Sequence, residues 1–157
     1  VGDFEVEPAD AVAGVNETFI YPLMWTVPEP LNWHDLKTLE LRVRDGATTI
    51  LNLRYVEDGN LISVFNEATG RFGKSLPVGS DRMLQTQYAT LDLGETIVGP
   101  VNGALGFGPN SPTIRLSLGL RFKPSAAGRI YSVEVAATDD FGNADPLAVA
   151  GTLAVPE

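Results

Sequence analysis

Cysteine is absent from this chain, and with it go disulfide frameworks, thiol nucleophiles and thiolate metal sites. Export stays open, since a secreted domain need not be disulfide-bonded. Basic residues are scarce: 11 Lys and Arg stand against 20 Asp and Glu, for a net charge of −9. That balance argues against nucleic acid or an anionic membrane surface as partner. Long apolar runs are missing too. Stretches such as "LSLGLRF" fall well short of the roughly 20 residues a membrane span requires. Histidine occurs once, as His34, so a zinc site lacks ligands and a catalytic dyad or triad has one candidate base. No G-x-S-x-G segment offers a serine nucleophile beside it. The opening "VGDFEVEPAD" has neither the basic start nor the apolar core of a signal peptide, so the chain reads as a mature product or a piece of something longer.

What is present is turn chemistry and alternation. The 16 glycines and 11 prolines are spread along the whole chain and punctuate short apolar runs. In "TIRLSLGLRF", Ile114, Leu116, Leu118, Leu120 and Phe122 share one face, with Thr113, Arg115, Ser117, Gly119 and Arg121 on the other. "LKTLELRVRD" places Leu39, Leu41 and Val43 opposite Glu40, Arg42 and Arg44. "IYSVEVAATD" places Tyr131, Val133, Val135 and Ala137 opposite Ser132, Glu134 and Thr138. This period of two predicts half-buried strands. Further strands are expected in "DFEVE", "ETFIYPLMWTV", "TTILNLRYV", "LISVF", "QYATLDL" and "VAGTLAV". Asp45-Gly46 and Asp58-Gly59 suit tight turns, and "NEATG" suits a longer one. "GPVNGALGFGPNSP", residues 99–112, reads as loop. "NWHDLK" has room for a single helical turn capped by Asn32. No segment carries a helical period over any useful length, and no repeat of 20–50 residues is visible.

About nine strands without helix predict one all-β domain over residues 1–157, an antiparallel two-sheet sandwich. A chain of 157 residues is long for an immunoglobulin-like domain of about 100. The excess is assigned to an extended hairpin over residues 58–86 and to the loop at 99–112.

"SAAGRIYSVEV" resembles the penultimate strand of immunoglobulin-like sandwiches, where a tyrosine shortly after a glycine ties its hydroxyl back to the backbone. Gly128 and Tyr131 match that pattern, and Val133 stands where antibody domains carry a cysteine. "VAATDDFGN" resembles the strand-to-hairpin segment of bacterial extracellular immunoglobulin-like modules, which recur in large exported multidomain proteins. The resemblance spans residues 18–155. It implies the sandwich fold and an exported, cell-surface or secreted bacterial setting, and it implies no catalytic residue.

The acidic turn has two readings. Asp140, Gly142 and Asn143 suit a hairpin turn without further function. Asp139, Asp140, Asn143 and Asp145 also offer hard oxygen ligands of the kind calcium takes, with Asp3 or Asp10 as further donors if the fold brings them near. Calcium is therefore the one cofactor the sequence raises. For sugar binding, Trp25, Trp33, Tyr21, Tyr55, Tyr88 and Phe107 are the possible stacking residues. Trp33, set among polar residues, is the candidate platform, while Trp25 reads as core. "GALGFG" lacks a following helix and does not read as a phosphate loop. Asn16-Glu17-Thr18 is a glycosylation sequon only in a host that uses it.

The expected function is thus non-catalytic: a structural, adhesion or spacer module in an exported protein or extracellular assembly. The alternative is a carbohydrate- or other ligand-binding sandwich. Neighbouring domains or subunits are the expected partners, without nucleic acid or membrane insertion. "DFEVE" and "GTLAV" are expected at sheet edges, where strands can pair with another chain.

Overall fold

The computed structural model describes residues 3–6, 9–28, 33–46, 48–66, 69–100 and 113–156. Thirteen strands run through them: β1 (Asp3–Val6), β2 (Asp10–Val12), β3 (Thr18–Thr26), β4 (Leu36–Asp45), β5 (Thr48–Val56), β6 (Leu61–Asn66), β7 (Arg71–Phe72), β8 (Leu76–Pro77), β9 (Met83–Gln85), β10 (Ala89–Pro100), β11 (Thr113–Phe122), β12 (Arg129–Asp139) and β13 (Ala144–Val155). Short 3₁₀ turns lie at Trp33–Asp35 and Pro124–Ala126. Among the described residues there is no α-helix, and so none that could cross a membrane. All nine expected strands are present. The four unforeseen ones, β2, β7, β8 and β9, are two or three residues long, too short for alternation to register.

One sheet runs β1-β3-β11-β10-β9; the other runs β2-β13-β12-β4-β5-β6-β7, with β8 also paired to β6. Neighbours are antiparallel except β2 and β13, which run parallel through Asp10–Thr152, Ala11–Leu153 and Val12–Ala154. The alternation read from the sequence decides which residues meet between the layers. Tyr21, Leu23 and Trp25 of β3 and Ile114 to Phe122 of β11 face Leu39, Leu41 and Val43 of β4 and Val133 and Val135 of β12. Each of these apolar side chains is at most 1% exposed. Each such burial stabilises the fold by about 1.5–3 kcal/mol before entropy is charged against it. They form a single apolar cluster that joins both sheets.

Three expectations are corrected. The stretch 58–86 is not one extended hairpin. After the β5–β6 turn, where Gly59 (φ 86°) and Asn60 (φ 54°) are left-handed, β6 pairs with β7 and β8, and β9 then joins the other sheet beside β10. Gly73, Pro77 and Gly79 keep these pieces short. Second, "GTLAV" is not at an edge, because β2 covers Thr152–Ala154. "DFEVE" does lie at an edge, as β1. Third, Gly119 does not face solvent. Between Asp92 and Ile97, β10 bulges out of register with β11 and folds over that glycine. A Cβ on Gly119 would stand 2.6 Å from Glu95 Cβ, and its N–H donates to Thr96 Oγ1 at 3.1 Å. Of the expected loop at 99–112, Gly99 and Pro100 belong to β10, and the rest lies outside the described residues.

Candidate functional site

The acidic turn joins β12 to β13, and Asp139 organises it. Its Oδ1 accepts from the backbone N–H of Phe141 and of Asn143, both at 2.9 Å, and its Oδ2 accepts from Asn143 Nδ2 at 3.0 Å. Burial alone would raise the Asp139 carboxyl, but the Asn143 backbone and side-chain donors and the Phe141 N–H outweigh it. The pKa therefore sits below the ordinary carboxylate value. Next to it, the Asp140 N–H donates to the Asp35 carbonyl at 2.9 Å, which docks the turn on the Trp33–Asp35 segment. Asp10 lies at the far end of β13, where its carboxylate accepts from Thr152 Oγ1 at 2.8 Å; Asp3 is in β1, opposite Thr26. Among the described residues, no three acidic or histidine side chains converge in a way that could hold a metal ion. The arrangement gives Asp139 the work of closing a hairpin.

A second polar cluster covers the outer face of the larger sheet. Glu134, only 7% exposed, accepts from Arg42 Nε at 2.9 Å and pairs with Arg44 through Nε at 2.8 Å and Nη2 at 3.3 Å. One strand over, Arg54 binds Glu40 Oε1 at 2.8 Å through Nε, and its guanidinium lies 4.0 Å from the centroid of Phe72. Cross-strand register makes this ladder: Glu134 stands opposite Arg42, and Glu40 opposite Arg54. Alternation placed these charges on the outer face. Their pairing follows from register, which alternation within one strand does not specify.

Tyr131 donates from Oη to the Ala126 carbonyl at 2.5 Å, and Gly128, at φ 82°, gives its N–H to the Val155 carbonyl. Burial raises the Tyr131 pKa; Arg129 opposes this, while Asp45 and Tyr88 add to it. Trp33 is half-buried against the core. Its indole N–H is buried without a hydrogen-bond acceptor among the described residues, and its ring centroid is 3.8 Å from that of His34. Its ring thus packs between the core and the His34 imidazole. His34 Nδ1 is 2.6 Å from Glu57 Oε1. Trp25, Tyr21 and Tyr55 are core residues, Tyr88 is half-buried, and Phe107 lies outside the described residues.

Among the described residues, two hollows stand out on the surface. One of about 660 Å³ lies outside the larger sheet, between Glu40, Arg54 and the start of β13. The other, about 370 Å³, opens between β5, β6 and the segment joining β9 to β10. No sequence signal announced the second, because its walls are residues distant along the chain.

No protein-family model matches the chain, and no curated protein does. Among solved structures it is similar to a DUF4466 family protein from Parabacteroides merdae, with 11% identity and a TM-score of 0.35, over 96% of this chain and 44% of that one. The chain thus spans less than half the length of that protein.

Proposed function

We propose that this chain is an immunoglobulin-like sandwich of the variable-type strand order, serving as a non-catalytic spacer or adhesion module of an exported bacterial protein or extracellular assembly. The strand order supports the fold type. β1-β3-β11-β10 follows the A-B-E-D sheet, and β13-β12-β4-β5-β6 follows G-F-C-C′-C″, with β2 as the part of the first strand that crosses to join G. The Tyr131 hydroxyl bond near the start of the penultimate strand agrees with this.

The observation that carries the function is the parallel pairing of β2 with β13. Hydrogen bonds from Thr152 N to Ala9 O at 2.7 Å and from Ala13 N to Ala154 O at 2.9 Å bracket the pair. Tension between the two ends of the chain pulls parallel neighbours past each other along their length. The bridging bonds are then loaded together and must fail together, unlike a hairpin peeled bond by bond. This geometry at its ends suits a module that transmits force between neighbours. The polar side chains support the same reading, since Asp139 and Glu134 are engaged in holding a turn and a sheet face.

Surface accessibility tests the setting. External protease should remove the chain from intact source cells, and antiserum should label those cells without permeabilisation. Labelling only after lysis would overturn the exported placement.

A further inference from the structure

The hollow between β5, β6 and the β9–β10 link lies at the end of the sandwich opposite Trp33. It belongs neither to the acidic turn nor to the charged sheet face. Its opening traces to local irregularity. Val43 pairs with Leu51 but Arg44 with Thr49, so Ile50 is an extra residue that bends the start of β5. β9 pairs with only Thr90–Asp92 of β10, leaving the following link free to form a wall.

That wall is tied down from several sides. Thr86 Oγ1 donates to the Ile50 carbonyl at 2.9 Å and accepts from the N–H groups of Tyr88 at 3.1 Å and Ala89 at 3.0 Å. Lys123 Nζ donates to the Thr86 carbonyl at 2.7 Å and to Gln85 Oε1 at 3.1 Å, and Ser125 Oγ donates to the Gln87 carbonyl at 2.9 Å. A wall fixed before binding has little freedom left to lose when a ligand arrives.

The lining selects a chemical class. Ile50, Leu51 and Val64 supply an apolar floor. Four neutral amides, Asn52, Asn66, Gln85 and Gln87, stand around it with Tyr88. Asn52 and Gln87 each offer both donors and an acceptor, while Gln85 Oε1 is already held by Lys123 Nζ. The described lining includes no carboxylate to attract a cation and a single ammonium, Lys74. A purely apolar guest would strip water from the amides without replacing their hydrogen bonds. A sugar ring has an apolar C–H face and a rim of hydroxyls that both donate and accept, matching floor and rim together. A volume of about 370 Å³ also falls within the range of small-molecule sites.

We propose that this hollow binds a neutral sugar unit of a glycan, with Asn52 and Gln87 reading its hydroxyls and Tyr88 lying beside its apolar face. This goes beyond the spacer reading and fails separately from it, since a spacer can carry an empty hollow.

The test is a titration of ¹⁵N-labelled protein with cellobiose, lactose and chitobiose, and with glucuronic acid as the anionic control. Saturable shifts are expected for at least one neutral disaccharide, centred on the amides of Asn52, Asn66 and residues 85–88. Gln87→Ala, a change at an exposed side chain, should weaken binding about tenfold, and Asn52→Ala should do likewise, with unchanged melting midpoints. Lys37→Ala, at the other hollow, should leave the neutral-sugar affinity as it was. No saturable shift with any neutral disaccharide would overturn the proposal. So would shifts centred on Trp33, or binding confined to glucuronic acid and lost in Lys74→Ala.

Discussion

Asp139 shows how a residue that invites a metal reading is given other work by its neighbours. Three donors from its own turn meet its two oxygens. Asp139→Ala should lower stability in urea unfolding by about 1–3 kcal/mol, since buried donors lose their acceptor. Its carboxyl pKa is lowered in the fold, so its contribution is complete above the unfolded value near pH 4 and is lost as pH falls through the lower folded value. Thermal melts in calcium and in chelator should superimpose. A midpoint raised by calcium would contradict the turn assignment. The sequence displayed these acids but not their partners, because which N–H faces which oxygen is decided only once the chain reverses. Tyr21 makes the complementary point. Raised in the sequence as a possible stacking residue, it lies instead in the core, with its hydroxyl buried without a hydrogen-bond partner among the described residues. Tyr21→Phe should therefore be neutral or stabilising by up to about 1 kcal/mol in the same unfolding experiment.

At the scale of the element, the strands were legible and their irregularities were not. Period-two patterning identified β4, β11 and β12 because one face of each is sealed in the core. It misplaced Gly119, because the β10 bulge covers an outer position that no pattern within β11 can reveal. Gly151 is a parallel case. A Cβ there would stand 2.1 Å from the Ala9 carbonyl oxygen, which is bound by the neighbouring Thr152 N–H. Gly151→Ala must push the chain before β2 away from β13. A loss of about 2 kcal/mol or more in chemical denaturation is expected, with faster hydrogen exchange at Thr152. Unchanged stability would mean that the β2–β13 contact is looser than described.

At the scale of the whole molecule, the two-layer class was readable from alternation and turns, whereas strand order was not. Order depends on which edges meet, and β2, which closes the larger sheet, is three residues long. The core sets a limit on alkaline stability. Burial pushes Tyr21 up to about 12, and it raises Tyr55, with Glu57 adding to the effect, and Tyr131. These raised values mean that the neutral phenols favour the fold fully below about pH 10 and that this support is lost as pH rises further. A pH-dependent melting series should fall steeply above that point. A flat profile would place these phenols in solvent.

Force tests the account at its centre. Polyproteins of this chain pulled by their two ends load β2 and β13 in shear, whereas handles at Arg129 and Pro156 open the β12–β13 hairpin from its free end. Shear loading should give an end-to-end unfolding force several-fold above the hairpin-opening force at equal loading rate, reduced by Gly151→Ala. Equal forces in the two geometries would contradict it.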